Sequence, residues 1–166
     1  ERVIDAEHFN NDPRRAELSL VPSAVVNPAA IEAIETAELV VIAPGDLYTS
    51  LGPLLVIDGI GQALARTSAT VVYVCNLVTK RGQTAGFTVI DHAAEIERFA
   101  GQSVLDGVIY NNGVPSDELM ARYTEEGSQV VELGDTTGVV YELVGANLLG
   151  DVAEHERHDV IPVKRS

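Results

Sequence analysis

The stretch LVVIAPGDLYTS, residues 39–50, places a continuous apolar run directly before a polar turn. An apolar run without polar alternation is typical of a β-strand that is covered on both faces of a parallel sheet. Pro44 and Gly45 end the run, and apolar residues then recur at helical spacing as far as Leu64. The stretch therefore predicts a strand, a loop and a helix in succession, which is the repeating unit of an α/β protein.

The same unit continues along the rest of the chain. Asn27 and Pro28 have the residue types preferred at a helix N-cap and first helical position, and Thr88 and Asp91 have the spacing of a capping box. The predicted strands lie over 39–43, 70–75, 107–110, 129–133 and 139–144, and the predicted helices over 27–38, 51–66, 88–100 and 117–126.

These elements predict one main domain with short extensions. Strand–helix units joined by right-handed crossovers indicate a Rossmann-like, three-layer α/β/α domain with a mostly parallel sheet over residues 27–150. Residues 1–26 are expected to form an N-terminal arm with a short strand near 17–21. Residues 151–166 are expected to form a polar C-terminal tail.

Length and charge limit the classes of protein to which the chain can belong. It has 166 residues, the size of one domain, and no apolar run approaches the roughly twenty residues of a membrane span. Its 11 basic and 25 acidic residues give a net charge of −14, which disfavours nucleic acid and anionic membranes as partners. A small anionic ligand is still allowed, because backbone N–H groups and local cations can hold it. The single Cys75 lies in an apolar run, which indicates a buried thiol in a cytoplasmic protein. The composition is also compatible with a homo-oligomer.

Three loops follow predicted strands at the carboxyl edge of the sheet, where open α/β sheets bind their ligands. In the first loop, Gly45 allows a close backbone approach, and the start of the next helix offers unsatisfied N–H groups. These features predict a phosphate cradle, with the candidate residues Pro44, Gly45, Asp46, Tyr48, Thr49 and Ser50. An ordinary turn whose polar side chains cap the helix explains the same pattern.

The second loop, residues 76–88, is longer than most connections from a strand to a helix. It contains the adjacent cations Lys80 and Arg81, which together can neutralise a diphosphate. Further candidates for ligand contacts are Asn76, Thr79, Gly82 and Thr84 in this loop and Asn111 and Asn112 in the third. A solvated surface loop and a simple turn are the alternative interpretations of these two segments.

Asp91 and His92 are the candidates for general acid–base catalysis, because a carboxylate beside an imidazole can move protons near neutral pH. Consecutive residues on a helix do not face each other, so helix capping and solvent exposure are the alternative. Asp46 and Asp91 are the candidate ligands of Mg²⁺, and no other cofactor is indicated. The histidines and Cys75 lack the spacing of a zinc site.

Several segments in order resemble the CofD-like family. These are APGDLYTS at 43–50, PLLV at 53–56, CNLVT at 75–79, GQTAGFT at 82–88, Asp91-His92 and Asn111-Asn112. They are similar in particular to the YvcK branch, whose members carry a GPGSLYTS-like loop, a CN-x-x-T-x-x-G-x-T-x-G-[YF] loop with a following DH, and an Arg-His-Asp. Residues 157–159 match the last motif, so the resemblance covers residues 27–159.

The resemblance implies a domain that binds a nucleotide or a nucleotide sugar. YvcK-type proteins, or gluconeogenesis factors, are UDP-sugar binders that support carbon metabolism and cell shape, and this regulatory function is the leading expectation. The related 2-phospho-L-lactate transferases use a guanosine diphosphate donor and Mg²⁺, and a transferase of that kind is the alternative. The family's glycine-rich GGGTG-like phosphate loop has no match in this chain, and Asp46 stands where the family usually has Ser. A structural or oligomeric domain with a vestigial site is therefore a third reading.

Overall fold

The computed structural model describes residues 17–149. Its centre is a four-stranded, all-parallel sheet in which the strands follow one another in chain order. The strands are β1 (Leu39–Ile42), β2 (Thr70–Val74), β3 (Gly107–Asn111) and β4 (Glu142–Ala146). The α/β class and the parallel sheet predicted from the sequence are confirmed.

Helices precede β1 and connect the strands. They are α1 (Pro28–Thr36), α2 (Gly52–Leu55), α3 (Ile60–Arg66), α4 (Val89–Ala100) and α5 (Asp117–Glu125). The predicted caps form: Asn27 accepts a hydrogen bond from the backbone of Ala29 at 2.9 Å, and Thr88 and Asp91 make a reciprocal capping box. Local sequence therefore sets where α1 and α4 begin.

The helix predicted over 51–66 is broken into three pieces. A π-helical turn, Leu47–Leu51, leads into the short α2, and α3 begins only after Gly59. Gly59 adopts a φ of +99°, which favours glycine, and a Cβ there would lie 2.6 Å from Val26 Cγ1. The left-handed backbone at Gly59 interrupts the helix, and only glycine fits there beside Val26, which helical periodicity alone does not reveal.

Two predicted strands are replaced by isolated bridges. Near the N-terminus of the described chain, pairing occurs at Val25 with Asp58 rather than over 17–21. The segment 129–133 pairs only once, at Val130 with Val78 in the antiparallel direction. Residues 17–21 form no strand, and the segment 129–133 borders the loop after β2 instead of extending the sheet.

The two faces of the sheet differ in how they are covered. Side chains on one face join the apolar core beneath the helices, namely Val40, Ile42, Val71, Tyr73, Val108, Tyr110 and Leu143. On the other face Leu39, Val41 and Val144 are 56%, 53% and 40% exposed. Strands in chain order, joined by right-handed crossovers, carry their helices to the same face. The second helical layer of the predicted three-layer arrangement is therefore not among residues 17–149.

No helix within residues 17–149 is long and apolar enough to cross a membrane. Most of the predicted N-terminal arm, the polar tail and the Arg-His-Asp match at 157–159 lie outside the described residues.

Candidate functional site

A cavity of about 640 Å³ opens at the carboxyl ends of β1 and β2. This is the edge at which open parallel sheets bind ligands. Its walls are the loop after β1, the loop after β2 and the segment after α5, with the lining residues Pro44, Gly45, Asp46, Asn76, Leu77, Val78, Thr79, Lys80, Arg81, Glu126 and Ser128. The structure thus brings together seven of the predicted binding residues: Pro44, Gly45, Asp46, Asn76, Thr79, Lys80 and Arg81.

A reciprocal pair of hydrogen bonds joins the first two loops. The Asn76 side chain accepts from the backbone N–H of Gly45 and donates to its carbonyl oxygen, both at 3.1 Å. The Gly45 amide, which the sequence suggested for phosphate, is therefore committed to Asn76. Asn76 fixes the spacing of the two walls, and side chains supply the groups that face the cavity.

An ion pair also links these loops. Lys80 Nζ lies 2.5 Å from Asp46 Oδ2, and Thr49 Oγ1 lies 3.4 Å from the same oxygen. The two side chains of the pair are 33% and 27% exposed. Lys80 therefore sits at the predicted anion site with a carboxylate already beside it.

Arg81 lies at the outer rim and is exposed. Its aliphatic stem packs against Gly127, where a Cβ would lie 3.0 Å from Arg81 Cδ, and Gly127 has a φ of +70°. The stem is thus supported while the guanidinium is left in solvent, as is common for arginine.

The third wall was not visible in the sequence. Thr79 donates its N–H to the Gln129 carbonyl at 2.7 Å, and its hydroxyl accepts from the Gln129 N–H at 3.0 Å. These bonds draw Glu126 and Ser128 to the cavity. The segment follows a helix rather than a strand, so no rule about strand ends selects it.

Tyr48 lies in the core instead of the cavity. It is 3% exposed, and its hydroxyl donates to Glu95 Oε2 at 2.9 Å. Arg98 binds the same carboxylate through two contacts of 2.7 and 2.6 Å, and hydrogen bonding to Glu95 raises the pKa of Arg98. Phe99 packs edge-on against the Tyr48 ring, with the centroids 5.8 Å apart. Tyr48 therefore anchors the first loop to α4.

The Asp91 and His92 side chains also have structural contacts. Asp91 Oδ2 accepts from the Thr88 N–H at 2.9 Å, so it caps α4. His92 is fully buried, with Nδ1 placed 2.9 Å from the Thr88 carbonyl and its ring edge-on to Phe87. Burial lowers the pKa of His92, which favours the neutral ring. Neither residue lines the cavity.

The other predicted ligand residues are placed outside the cavity lining. Thr84 is buried, and its hydroxyl accepts from the Lys80 N–H at 2.8 Å. Asn111 brackets the turn after β3 by bonding both polar backbone atoms of Gly113. The complete set outside the lining is Tyr48, Thr49, Ser50, Gly82, Thr84, Asn111 and Asn112. These residues do not form part of the cavity surface.

The remaining chemical candidates are a thiol and a metal site. Cys75 is 1% exposed, and burial raises the pKa of its thiol to about 12, which makes it unreactive in the folded state. Within residues 17–149, no three His, Cys, Asp or Glu side chains come together as a metal site. Of the two magnesium candidates, Asp46 faces the cavity and Asp91 caps a helix.

Comparisons with known proteins agree with this architecture. The family described as 2-phospho-L-lactate transferase CofD matches residues 1–149. A putative gluconeogenesis factor of Thermotoga maritima is 43% identical over 106 residues, which cover 64% of this chain and 33% of that protein. The gluconeogenesis factor of Bacillus subtilis is 30% identical over 138 residues, which cover 80% of this chain and 44% of that protein.

A solved structure shares the fold. The crystal structure of a UPF0052 family member from Bacillus halodurans superposes with a TM-score of 0.71 at 30% identity, over 74% of this chain and 40% of that one. The chain thus spans less than half the length of these matched relatives. By its sequence match and its fold, the chain belongs to the CofD family, together with the gluconeogenesis factors.

Proposed function

We propose that the cavity binds the diphosphate of a nucleotide sugar, such as a UDP-sugar, and that binding serves regulation rather than catalysis. The observation that carries this proposal is the placement of Lys80 and Arg81 on one wall of a cavity at the carboxyl edge of the sheet. A diphosphate has charges at a spacing that two neighbouring cations can match.

The size and lining of the cavity support a ligand of this class. Its volume of about 640 Å³ lies within the range of ordinary small-molecule sites. Leu77 and Val78 supply apolar surface, and Asn76, Thr79 and Ser128 supply hydrogen-bonding groups. A flat nucleoside beside a charged diphosphate needs both kinds of surface.

The placement of the titratable groups favours binding over turnover. The residues expected to move protons, Asp91 and His92, belong to a helix cap and to the core. The carboxylates that line the cavity are Asp46 and Glu126, and Asp46 is paired with Lys80. The printed names of the relatives, gluconeogenesis factors, agree with a regulatory function, and such a function implies a cytoplasmic protein.

Calorimetric titration with UDP-N-acetylglucosamine, UDP and GDP, each with and without Mg²⁺, tests the proposal. We expect the UDP compounds to bind, and we expect Arg81→Gln to weaken binding about 5- to 10-fold through loss of a charge-assisted contact. Arg66→Gln is the matched control, because it removes the same charge from α3, where Arg66 pairs with Glu35.

The other outcomes identify the alternatives. Preference for GDP with Mg²⁺, together with turnover of a GDP-linked donor, would favour a transferase in which Asp46 holds the metal. Equal effects of Arg81→Gln and Arg66→Gln would place the ligand elsewhere. If no ligand binds or raises the melting temperature, the proposal that this cavity binds a nucleotide sugar fails, and a structural or oligomeric role is the remaining candidate.

A further inference from the structure

One of the residues that line the cavity, Asp46, is itself an anion paired with Lys80. Asp46 Oδ2 is in direct contact with Lys80 Nζ, at 2.5 Å, so it occupies a position on the ammonium group that a phosphate oxygen would otherwise take. The charged residues that line the cavity are Asp46, Glu126, Lys80 and Arg81, so the two carboxylates balance the two cations. An anionic ligand therefore enters a cavity whose inner cation is already neutralised.

The backbone on both sides of this pair is fixed. The Asp46 carbonyl accepts the N–H groups of Ser50 and Leu51 at 2.9 and 3.0 Å. The Lys80 carbonyl accepts those of Gln83 and Thr84 at 3.1 and 2.9 Å. The pair itself is about one third exposed, so the two side chains can separate by rotating into solvent while the loops keep their shape.

We propose that Asp46 is an internal competitor for Lys80, and that a diphosphate binds by displacing the Asp46 carboxylate from the ammonium group. This inference rests on the proposed function of the cavity. Asp46 then lowers the affinity for anions in general and favours ligands with enough charge and additional contacts, such as those to Arg81, to complete the exchange.

The size of the effect follows from the exposure of the pair. Partly exposed ion pairs are weak, because water competes for both charges, whereas a phosphate offers more charge and more acceptor oxygens than a carboxylate. A diphosphate can therefore displace Asp46. Removing the competing charge is expected to tighten binding by roughly 2- to 5-fold.

Titration of Asp46→Asn with UDP and with inorganic pyrophosphate, in the absence of Mg²⁺, tests the inference. Asn has nearly the shape of Asp without its charge, and we expect the dissociation constant to fall about 2- to 5-fold. Glu126→Gln is the matched control, because it removes one negative charge from the same lining without removing the partner of Lys80. A smaller gain in this control supports competition for Lys80.

A second background tests the mechanism directly. In a Lys80→Met chain the competitor has nothing to compete for, so the further change Asp46→Asn is expected to give no more than the gain seen with Glu126→Gln. Melting temperatures of all variants are measured alongside to confirm that each is folded. A full gain of about 2- to 5-fold in the Lys80→Met background would overturn the inference.

The remaining results separate this inference from the function on which it rests. If wild type binds UDP and Asp46→Asn binds it equally or more weakly, the competitor is wrong and the binding function stands. If Mg²⁺ tightens binding to wild type and this gain is lost in Asp46→Asn, Asp46 is a metal ligand and the inference is overturned. If neither protein binds UDP or pyrophosphate, the proposed function fails and the inference fails with it.

Discussion

Two carboxylates hold the same loop, residues 44–51, from opposite sides. On the inner side Glu95 is 3% exposed and binds the Tyr48 hydroxyl and the Arg98 guanidinium. On the cavity side Asp46 is 27% exposed and pairs with Lys80. Both clusters pair a carboxylate with a partly exposed cation, but only the inner carboxylate is closed off from water.

The difference in exposure distinguishes a contact that fixes the position of the loop from a contact that can be exchanged. A buried carboxylate that loses its partners leaves polar groups unsatisfied in the core, which is costly. A partly exposed pair can exchange one partner for water or a ligand at small cost. The loop thus has a buried inner anchor and an exchangeable outer contact, which is the arrangement that the proposed binding site needs.

The strongest test of the rigid inner side is Gly61→Ala in α3. A Cβ at Gly61 would overlap the carbonyl oxygen of Ala100 at the end of α4, and backbone cannot move aside as a side chain can. We expect a loss of about 3 kcal/mol or more in the free energy of unfolding, measured by urea denaturation. Gln62→Ala, at the next and exposed position of α3, is the control and should change stability by less than about 0.5 kcal/mol.

The anchor itself is tested by Glu95→Ala. The change leaves the buried Tyr48 hydroxyl without the carboxylate it binds and removes two contacts from Arg98. We expect unfolding to become easier by about 3 kcal/mol, since hydrogen bonds to a buried charge are lost. The exposed pair of Glu35 and Arg66 provides the comparison: Glu35→Ala should cost less than about 1 kcal/mol. Equal losses would show that burial does not distinguish the two carboxylates.

His92 gives the inner side a pH dependence. Burial lowers the pKa of His92 in the fold, so the unfolded chain takes up a proton near pH 6.5 that the folded chain does not. This residue's contribution to stability is therefore complete above pH 6.5 and is lost as the pH falls below it, by up to about 1.4 kcal/mol per pH unit. Urea denaturation between pH 7 and 5 should show a shallower decline for His92→Leu. An identical slope in the variant would contradict a neutral buried imidazole.

The smallest expected effect on stability belongs to the outer contact. Asp46→Asn breaks the pair with Lys80, yet both side chains can then be solvated. We expect the free energy of unfolding to change by less than about 1 kcal/mol, as measured by urea denaturation beside the Glu95→Ala variant. A loss as large as that of Glu95→Ala would mean that Asp46 is an anchor as well, and the contrast between the two sides would disappear.

Local sequence was a good guide where local forces decide. Asn27 and the pair of Thr88 and Asp91 cap helices as their residue types predict, and the apolar runs at 39–42 and 70–74 are strands of the parallel sheet. Lys80 and Arg81 line the cavity as their position after β2 suggested. In each case the structure depends on residues that are close together in the chain.

Other features were not indicated by the local sequence, because contacts between distant segments decide them. The close approach of Val26 to Gly59 accompanies the break in a helix that periodicity alone made continuous. Tyr48, a candidate for ligand contact in the loop after β1, lies in the core, where its hydroxyl binds the Glu95 carboxylate of α4. Glu126 and Ser128 carry no local signal and reach the cavity only through the pairing of Thr79 with Gln129.

The sequence by itself determined the α/β class, the helix caps, the parallel strands and the loops at which a site could form, because hydrophobic periodicity and capping act over a few residues. The tertiary structure alone decided which side chains face the cavity, that Asp46 pairs with Lys80, and that His92 is buried. These outcomes depend on contacts between segments far apart in the chain. The burial and charge environment of a side chain is then set by the segment that packs against it, and not by its neighbours in the sequence.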